Sequence, residues 1–183
     1  MRILGIDPGS SVTGYGVVER VNAKLVHLVS GTLRPLKSQE LPARLAAIHS
    51  GLAEVIEGYA PDLAVVEQVF VSSSPRSALI LGQARGVALA AVAAAGLPVE
   101  ECSAREIKQA VVGTGGAAKA QVQAMVKRIL QLERKPSQDA ADALAAAICR
   151  AHRGPLAELP RRAPRRRSRS RRPGSGFVVR RSP

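Results

Sequence analysis

The stretch Arg2-Ile-Leu-Gly-Ile-Asp7, followed directly by Pro8-Gly9-Ser10, decides the fold. Its first six residues are typical of a short apolar strand that ends on an acid, and Pro-Gly-Ser is a turn signal. Residues 12–19 and 24–33 continue as β-rich runs with a turn near Asn22. Three successive strands joined by tight turns predict an antiparallel meander.

The chain after this meander predicts alternating helices and strands. Apolar residues recur at three- and four-residue spacing, helix starts carry serine and proline signals, and Ser103 with Glu106 matches a capping box. Helices are predicted over residues 39–57, 74–96, 103–113, 119–132 and 137–152, with strands over residues 63–67 and 98–102. The order of elements predicts an α/β layered fold with a mixed sheet.

The positive charge of the chain is concentrated at one end. The formal net charge is +13 over 183 residues, yet residues 161–183 alone carry ten arginines and no acid. The remaining residues 1–160 hold 17 basic and 14 acidic side chains, a net of +3. We therefore expect one folded domain over residues 1–156 and a disordered, Arg-rich basic tail over residues 157–183.

Cysteine usage and hydropathy favour a cytoplasmic protein. Cys102 and Cys149 have no CxxC spacing or histidine neighbours, so neither a disulfide framework nor a zinc site is indicated. The longest apolar run, residues 87–99, is shorter than the ~20 residues that span a bilayer. Arg2 and Asp7 lie where a secretory leader would be apolar. We expect neither export nor membrane insertion.

Four acids could form one site. Asp7 and Glu67 each end an apolar strand, and Asp139 and Asp142 lie three residues apart on a predicted helix, where they share a face. Mg²⁺ prefers hard oxygen ligands, and two such ions about 4 Å apart support in-line phosphodiester hydrolysis. Four clustered carboxylates without cations would repel one another. The pattern therefore predicts a metal site built from these four residues.

Each acid also has a simpler explanation. Asp139 lies in a first helical turn, where the helix dipole favours an acid, and Asp142 could be a solvated helix position. Asp7 before Pro-Gly could start a turn. Glu67 is the hardest to explain in this way, because four apolar residues precede it and a buried acid needs partners.

Five motifs follow one another along residues 1–153: Gly5-Ile-Asp-Pro-Gly-Ser10, Val66-Glu-Gln-Val-Phe70, Gly82-Gln-Ala-Arg-Gly86, Lys108-Gln-Ala-Val-Val-Gly-Thr-Gly115 and Asp139-Ala-Ala-Asp-Ala-Leu-Ala145. Together and in this order they resemble the RuvC family of bacterial Holliday-junction resolvases. The resemblance implies a ribonuclease H-like three-layer fold, with a five-stranded mixed sheet flanked by helices, and a homodimer that binds four-way junction DNA. It implies paired, symmetrical nicks in two strands of like polarity during recombination and repair, with RuvA and RuvB as partners.

The resemblance also implies roles for individual residues. The four acids would be catalytic and bind two Mg²⁺ ions per site, with Mn²⁺ as a substitute. Lys108 and Lys119 would contact DNA, and Phe70 would stack on a base, which is worth ~1–3 kcal/mol. From the residues alone, Lys119 is equally well a solvated surface lysine and Phe70 a core side chain.

Two positions depart from the family pattern. Gly116 stands where the family commonly has a basic residue, and Ala118 replaces a polar one. The arginine tail could supply the phosphate binding that these two positions lack, and its binding to DNA would depend steeply on salt.

Three other functions stay open at this stage. The Gly-rich turn after Asp7 resembles the first phosphate loop of actin- and sugar-kinase-like ATPases, but the chain lacks a second Asp-x-Gly loop and a second domain. A non-catalytic DNA- or junction-binding protein of the same fold would bind through its tail. A related nuclease would cut another branched or single-stranded substrate.

Overall fold

The computed structural model describes residues 1–36, 38–68 and 74–153. The predicted domain boundary at residue 156 and the tail over residues 157–183 lie outside these residues. The described chain contains five strands and five helices. They are β1 (Arg2–Asp7), β2 (Thr13–Val21), β3 (Lys24–Leu33), α1 (Leu41–Tyr59), β4 (Leu63–Glu67), α2 (Pro75–Ala94), β5 (Val99–Cys102), α3 (Ala104–Val112), α4 (Lys119–Ile129) and α5 (Gln138–His152).

The strands form one mixed sheet in the order β3-β2-β1-β4-β5. Strands β1, β2 and β3 pair antiparallel, whereas β4 pairs parallel with β1 and β5 parallel with β4. The antiparallel meander and the mixed five-stranded sheet predicted from the sequence are thereby confirmed. The parallel pairings are possible because α1 and α2 each carry the chain back to the opposite end of the sheet.

Helices cover both faces of this sheet and create two separate cores. Successive residues of a strand point to opposite faces, so Ile3 packs with α3, α4 and α5 while its neighbour Leu4 packs with α1 and α2. Both side chains are fully buried. Strands buried on two faces are continuously apolar, and this accounts for the run of apolar residues before Asp7 and before Glu67.

Helix ends differ from the predicted ones by a few residues. Helix α1 continues through Gly58 to Tyr59 and is capped by Ala60, which adopts a left-handed conformation with φ 45°. Helix α4 ends at Ile129 rather than at residue 132. The capping box of Ser103 is present, since its hydroxyl accepts from the Glu106 amide and the Glu106 carboxylate accepts from the Ser103 amide. Local capping chemistry located this last boundary better than apolar spacing located the others.

Glycines on β1 and β2 let α5 lie unusually close to the sheet. Gly5 and Gly16 are register partners on the face that α5 covers. A Cβ atom added to Gly5 would lie 1.9 Å from the carbonyl oxygen of Ala143, and one added to Gly16 would lie 2.5 Å from a methyl carbon of Leu144. Close backbone approach is one of the reasons for glycine within a strand. These glycines therefore set the depth of α5.

The two cysteines meet inside the fold although they are distant in the sequence. Cys102 at the end of β5 and Cys149 on α5 are both buried and unoxidised. A hydrogen bond joins the two thiols, and it raises the pKa of Cys102 and lowers that of Cys149 to about 7.

Helix α2 is apolar but poorly covered by the rest of the chain. Among the described residues it is the one helix whose length and mean hydropathy of 1.5 would suffice to cross a membrane, and 22% of that window is buried. Ala84, Ala88 and Ala91 face the core, whereas Leu79 is 66% exposed. The longest apolar run in the sequence, residues 87–99, is too short to indicate this hydropathy, because the apolar residues of α2 are spread over the whole helix.

Candidate active site

Asp7 and Glu67 lie side by side at one edge of the sheet. Strands β1 and β4 are parallel neighbours in which Ile6 pairs with Val66, so the next residue of each strand is the acid. Both acids lie on the face of the sheet that packs against α5, because Asp7 is four positions after Ile3 and Glu67 four positions after Leu63, and Ile3 and Leu63 belong to that core. The strand ends thus place two carboxylates beneath the first turns of α5.

Helix α5 adds Asp139 and Asp142 above these strand ends. Asp7 of β1 pairs with Gly14 of β2, and a Cβ atom on Gly14 would lie 2.0 Å from the carbonyl oxygen of Asp139. The missing side chain therefore allows the N-terminus of α5 to approach Asp7. All α5 residues from Ala143 to Ala151 are buried, so the helix has no room to shift along this contact.

A cleft of about 410 Å³ gathers most of the predicted site residues. Asp7, Glu67 and Asp142 line it together with Lys108 and Lys119. The Nζ atom of Lys119 lies 3.4 Å from Oδ2 of Asp142. The cleft thus combines acids from two strands and one helix with cations from α3 and α4.

Asp139 stands at the margin of this cleft rather than among its lining residues. Its Oδ2 atom lies 4.0 Å from the guanidinium of Arg34, the residue that follows β3. Its negative charge still reaches the cleft, since it contributes to the raised pKa of Asp7. Arg34 was not predicted as a site residue, because no local pattern distinguishes it from other exposed arginines.

The carboxylates of the cleft are held in an environment that disfavours their charge. Burial, followed by repulsion from Asp142, Glu67 and Asp139, raises the pKa of Asp7 from 3.8 to about 7. Burial also raises the pKa values of Glu67 and Asp142, while Lys119 opposes the rise at both. Several acids that repel one another in a partly buried cleft indicate a site that gains stability from cations.

The donor set fits Mg²⁺ in its chemistry. All candidate ligands are carboxylate oxygens, which are the ligands that this hard cation prefers. Among the described residues, no group of three or more His, Cys, Asp or Glu side chains stands ready to hold a metal ion by itself. Mg²⁺ needs no such cage, because it usually binds one or two carboxylates and completes its octahedron with water and substrate phosphate.

The loop after Asp7 is fastened from two sides. The buried hydroxyl of Thr13 donates to the carbonyl of Gly9 at 2.7 Å and accepts from its amide at 3.3 Å. Arg44 of α1 donates to the carbonyl of Ser10. The turn predicted from Pro8-Gly9-Ser10 is thus a braced loop that limits the freedom of the adjoining carboxylate.

The remaining residues singled out in the sequence are Phe70, Gly116 and Ala118. Phe70 lies outside the described residues. Gly116 is a backbone position with open space around it. Ala118 is the N-cap of α4 and contributes no capping oxygen, and the side chain of Gln121 accepts from its amide at 2.8 Å instead. The N-terminus of α4 therefore reaches the cleft with Lys119 as its first residue.

Sequence and structure comparisons agree on the affiliation of the chain. Residues 3–150 match the family model described as Crossover junction endodeoxyribonuclease RuvC. The RuvC of Ralstonia pickettii (strain 12J) is 52% identical over 154 residues, which are 84% of this chain and 85% of that protein. The RuvC of Enterobacter sp. (strain 638) is 54% identical over 150 residues, 82% of this chain and 86% of that protein.

Solved structures give the same result. Thermus thermophilus RuvC in complex with a Holliday junction substrate superposes with a TM-score of 0.78 at 35% identity, over 82% of this chain and 93% of that one. The yeast mitochondrial resolvase Ydc2, at 14% identity and a TM-score of 0.58 over 80% of this chain and 77% of its own, shares the fold.

The fold and the acidic cleft define a nuclease of the ribonuclease H-like class. Because the family match extends over residues 3–150, the chain belongs to the RuvC family of crossover junction endodeoxyribonucleases. The resemblance noted from five motifs is confirmed, and a catalytic protein is favoured over a non-catalytic binder of the same fold.

Proposed function

We propose that this chain resolves four-way DNA junctions by metal-dependent phosphodiester hydrolysis, with paired, symmetrical nicks in two strands of like polarity. The observation that carries the proposal is the convergence of Asp7, Glu67 and Asp142 in one cleft with Lys108 and Lys119. Acids that repel one another suit a metal-activated hydrolysis, and neighbouring cations suit a polyanionic substrate.

Asp7, Glu67, Asp139 and Asp142 would hold Mg²⁺, with two ions in each site and Mn²⁺ as a substitute. Bound ions of this kind would activate the attacking water and stabilise the charge on the leaving oxygen. Asp7 and Glu67 are suited to the task because they end strands of a rigid sheet. Asp142 is suited because α5 is clamped against that sheet at Gly5.

Lys119 and Lys108 would bind the phosphates that flank the cleavage point. Lys119 is the first residue of α4, and its side chain is 66% exposed although it contacts Asp142. Amides at a helix N-terminus point at an approaching anion, so Lys119 and the start of α4 can bind one phosphate together. Phe70 would add stacking on an unpaired base, as the family resemblance implies.

The exposed apolar surface of α2 supports a homodimer. A helix with Leu79 at 66% exposure and no charged residue between Ala78 and Ala84 is costly to leave in water. A second copy of the chain would cover this surface and would supply the second active site that paired nicks require. The proposed dimer gives the apolar helix a role that involves no membrane.

Three further predictions extend beyond the described residues or the comparisons. The Arg-rich tail would compensate for the missing cation at Gly116 by binding phosphates without sequence preference. RuvA and RuvB would be partners, and the protein would act in the cytoplasm. Deletion of residues 157–183 without any loss of junction affinity would exclude the compensating role of the tail.

Cleavage of a labelled, mobile four-way junction tests the main proposal. Wild-type protein and Asp7→Asn would be compared with and without Mg²⁺, and a linear duplex of the same sequence would serve as the control. We expect paired, ligatable nicks on the junction, dependent on Mg²⁺ and absent from the variant. Tight binding without cleavage, across several junction sequences and with both Mg²⁺ and Mn²⁺, would contradict a resolvase.

A further inference from the structure

A cation stands on the side of the acidic site that faces away from the two lysines. Strands β3 and β4 lie on opposite sides of β1, and Arg34 directly follows β3. Asp7 pairs with Gly14, and Gly14 pairs with Thr32, so these residues form one row across the sheet. At about 4.8 Å per strand, Thr32 lies roughly 10 Å from Asp7.

The side chain of Arg34 is oriented by this row. Its Nε atom donates to the hydroxyl of Thr32 at 3.1 Å, and a guanidinium nitrogen lies 4.0 Å from Asp139. Gly14 stands between Thr32 and Asp7 and has no side chain that could separate the guanidinium from the acids. Arg34 is thus aimed along the face of the sheet that carries the carboxylates.

The ion pair between Arg34 and Asp139 is too weak to explain the position of Arg34 by its contribution to folding stability. At 4.0 Å, with the arginine side chain 62% exposed, such a pair contributes little to folding. The pair between Arg150 and Glu100 on the same sheet face is different, since its atoms are 2.6 Å apart and the arginine side chain is 5% exposed. Arg34 keeps most of its donors toward solvent.

We propose that Arg34 binds a backbone phosphate of the DNA strand that is cut, on the side of the cleavage point opposite to Lys108 and Lys119. This inference rests on the proposed function, because it assigns a further contact to the same substrate. A planar guanidinium can bind a phosphate through two parallel hydrogen bonds, and the Thr32 hydroxyl leaves its terminal nitrogens free for this. The strand would then be held at both ends of the carboxylate cluster.

Asp139 has a defined part in this arrangement. Before DNA binds, its charge keeps the guanidinium near the site without a close ion pair. At 4.0 Å, with its side chain 62% exposed, the guanidinium can bind a phosphate even in the metal-free site, and cations held by the carboxylates would weaken its attraction to Asp139 further. Arg34 is therefore a substrate-positioning residue, whereas Asp139 belongs to the group that holds the metal.

The salt dependence of junction binding tests Arg34 directly. Binding of a labelled four-way junction would be measured in EDTA between about 50 and 200 mM salt, because affinities that depend on phosphate contacts fall steeply over this range. Arg34→Ala should reduce the slope of log affinity against log salt by about 0.9 for each phosphate contact removed, or roughly two for a dimer. Its affinity should fall equally for junctions of different sequence.

Two variants serve as controls. Arg34→Lys keeps the charge and should restore the slope, while cleavage at limiting DNA stays below wild type because an ammonium cannot bind the phosphate at two points. Arg128→Ala removes another exposed arginine near the far end of α4, and it should leave both slope and cleavage unchanged.

An unchanged salt slope in Arg34→Ala, accompanied by a changed Mg²⁺ requirement for cleavage, would overturn the proposal and make Arg34 a counter-charge for Asp139. The outcome is separable from that of the main proposal. Failure of wild-type protein to cleave the junction contradicts the resolvase, whereas the slope reports on phosphate binding by Arg34 even if no strand is cut.

Discussion

Replacing Gly5 by alanine should damage the active site from beneath α5. The new Cβ atom would lie 1.9 Å from the carbonyl oxygen of Ala143, where ordinary contacts between such atoms are near 3.5 Å. Helix α5 would have to retreat by about 1.5 Å to relieve this contact. It cannot do so freely, because its own residues from Ala143 to Ala151 are all buried and would lose their contacts with the rest of the chain.

Gly5→Ala should lower both the stability of the fold and the rate of cleavage. Overpacking of this kind costs about 1–3 kcal/mol, and for a chain of this length each kcal/mol lowers the melting temperature by roughly 2–4 °C. A misplacement of about 1 Å in a catalytic group can cost about 100-fold in rate. Gly5→Ala should therefore cleave junctions far more slowly than its modest loss of stability would explain.

Thermal unfolding and single-turnover cleavage below the melting temperature would measure the two effects. Gly58→Ala is the matched control, since a Cβ atom there meets nothing within 4 Å and the position lies inside α1. It should raise stability by about 0.5–1 kcal/mol and leave cleavage unchanged. If Gly5→Ala melted and cleaved like the wild type, the close approach of α5 would not be what positions Asp142.

Three further predictions concern the acids, the loop and the exposed helix. Because the pKa of Asp7 in the folded chain is raised from 3.8 to about 7, metal-free protein should lose stability as pH rises from about 4 to 7. Asp7→Asn should lose that part of the dependence and be up to about 4 kcal/mol more stable at pH 8, as melting curves in EDTA would show. Equal melting curves would refute a raised pKa of Asp7, which burial and then repulsion from the other acids cause. Thr13→Val removes the hydroxyl that holds Gly9 and should cost about 1–2 kcal/mol, with a further loss of cleavage measured at a temperature where the variant is fully folded. Leu79→Glu should convert a dimer to a monomer in sedimentation experiments, while Leu36→Glu, at the same 66% exposure, should not; a Leu79→Glu dimer would place the interface elsewhere.

Local signals were sufficient for most of the fold. The apolar run that ends at Asp7 predicted a short strand, and the Ser103 and Glu106 pair predicted the start of α3. These predictions succeeded because strand pattern and helix capping depend on neighbours within a few positions in the chain. The predicted end of the first helix at residue 57 was two residues early, because the left-handed conformation that ends α1 is adopted by Ala60, after Tyr59.

The candidate site was predictable in its members more than in its arrangement. Residue type and position at strand ends identified Asp7 and Glu67, whose adjacency required only that two parallel strands be neighbours. The place of Asp139 beside Arg34 had no local signal. An exposed arginine after a strand is ordinary until the fold brings an acid from a distant helix toward it.

The sequence by itself determined which elements form, their approximate bounds and that four acids could serve one metal site, because each of these depends on short-range pattern. Only the tertiary structure decided how deeply α5 is seated, that Cys102 meets Cys149, and that α2 is left largely uncovered. The physical reason is the ambiguity of small residues. A glycine in a strand permits a bulge, a bend or a close approach, and only the helix that packs against Gly5 and Gly14 selects among them.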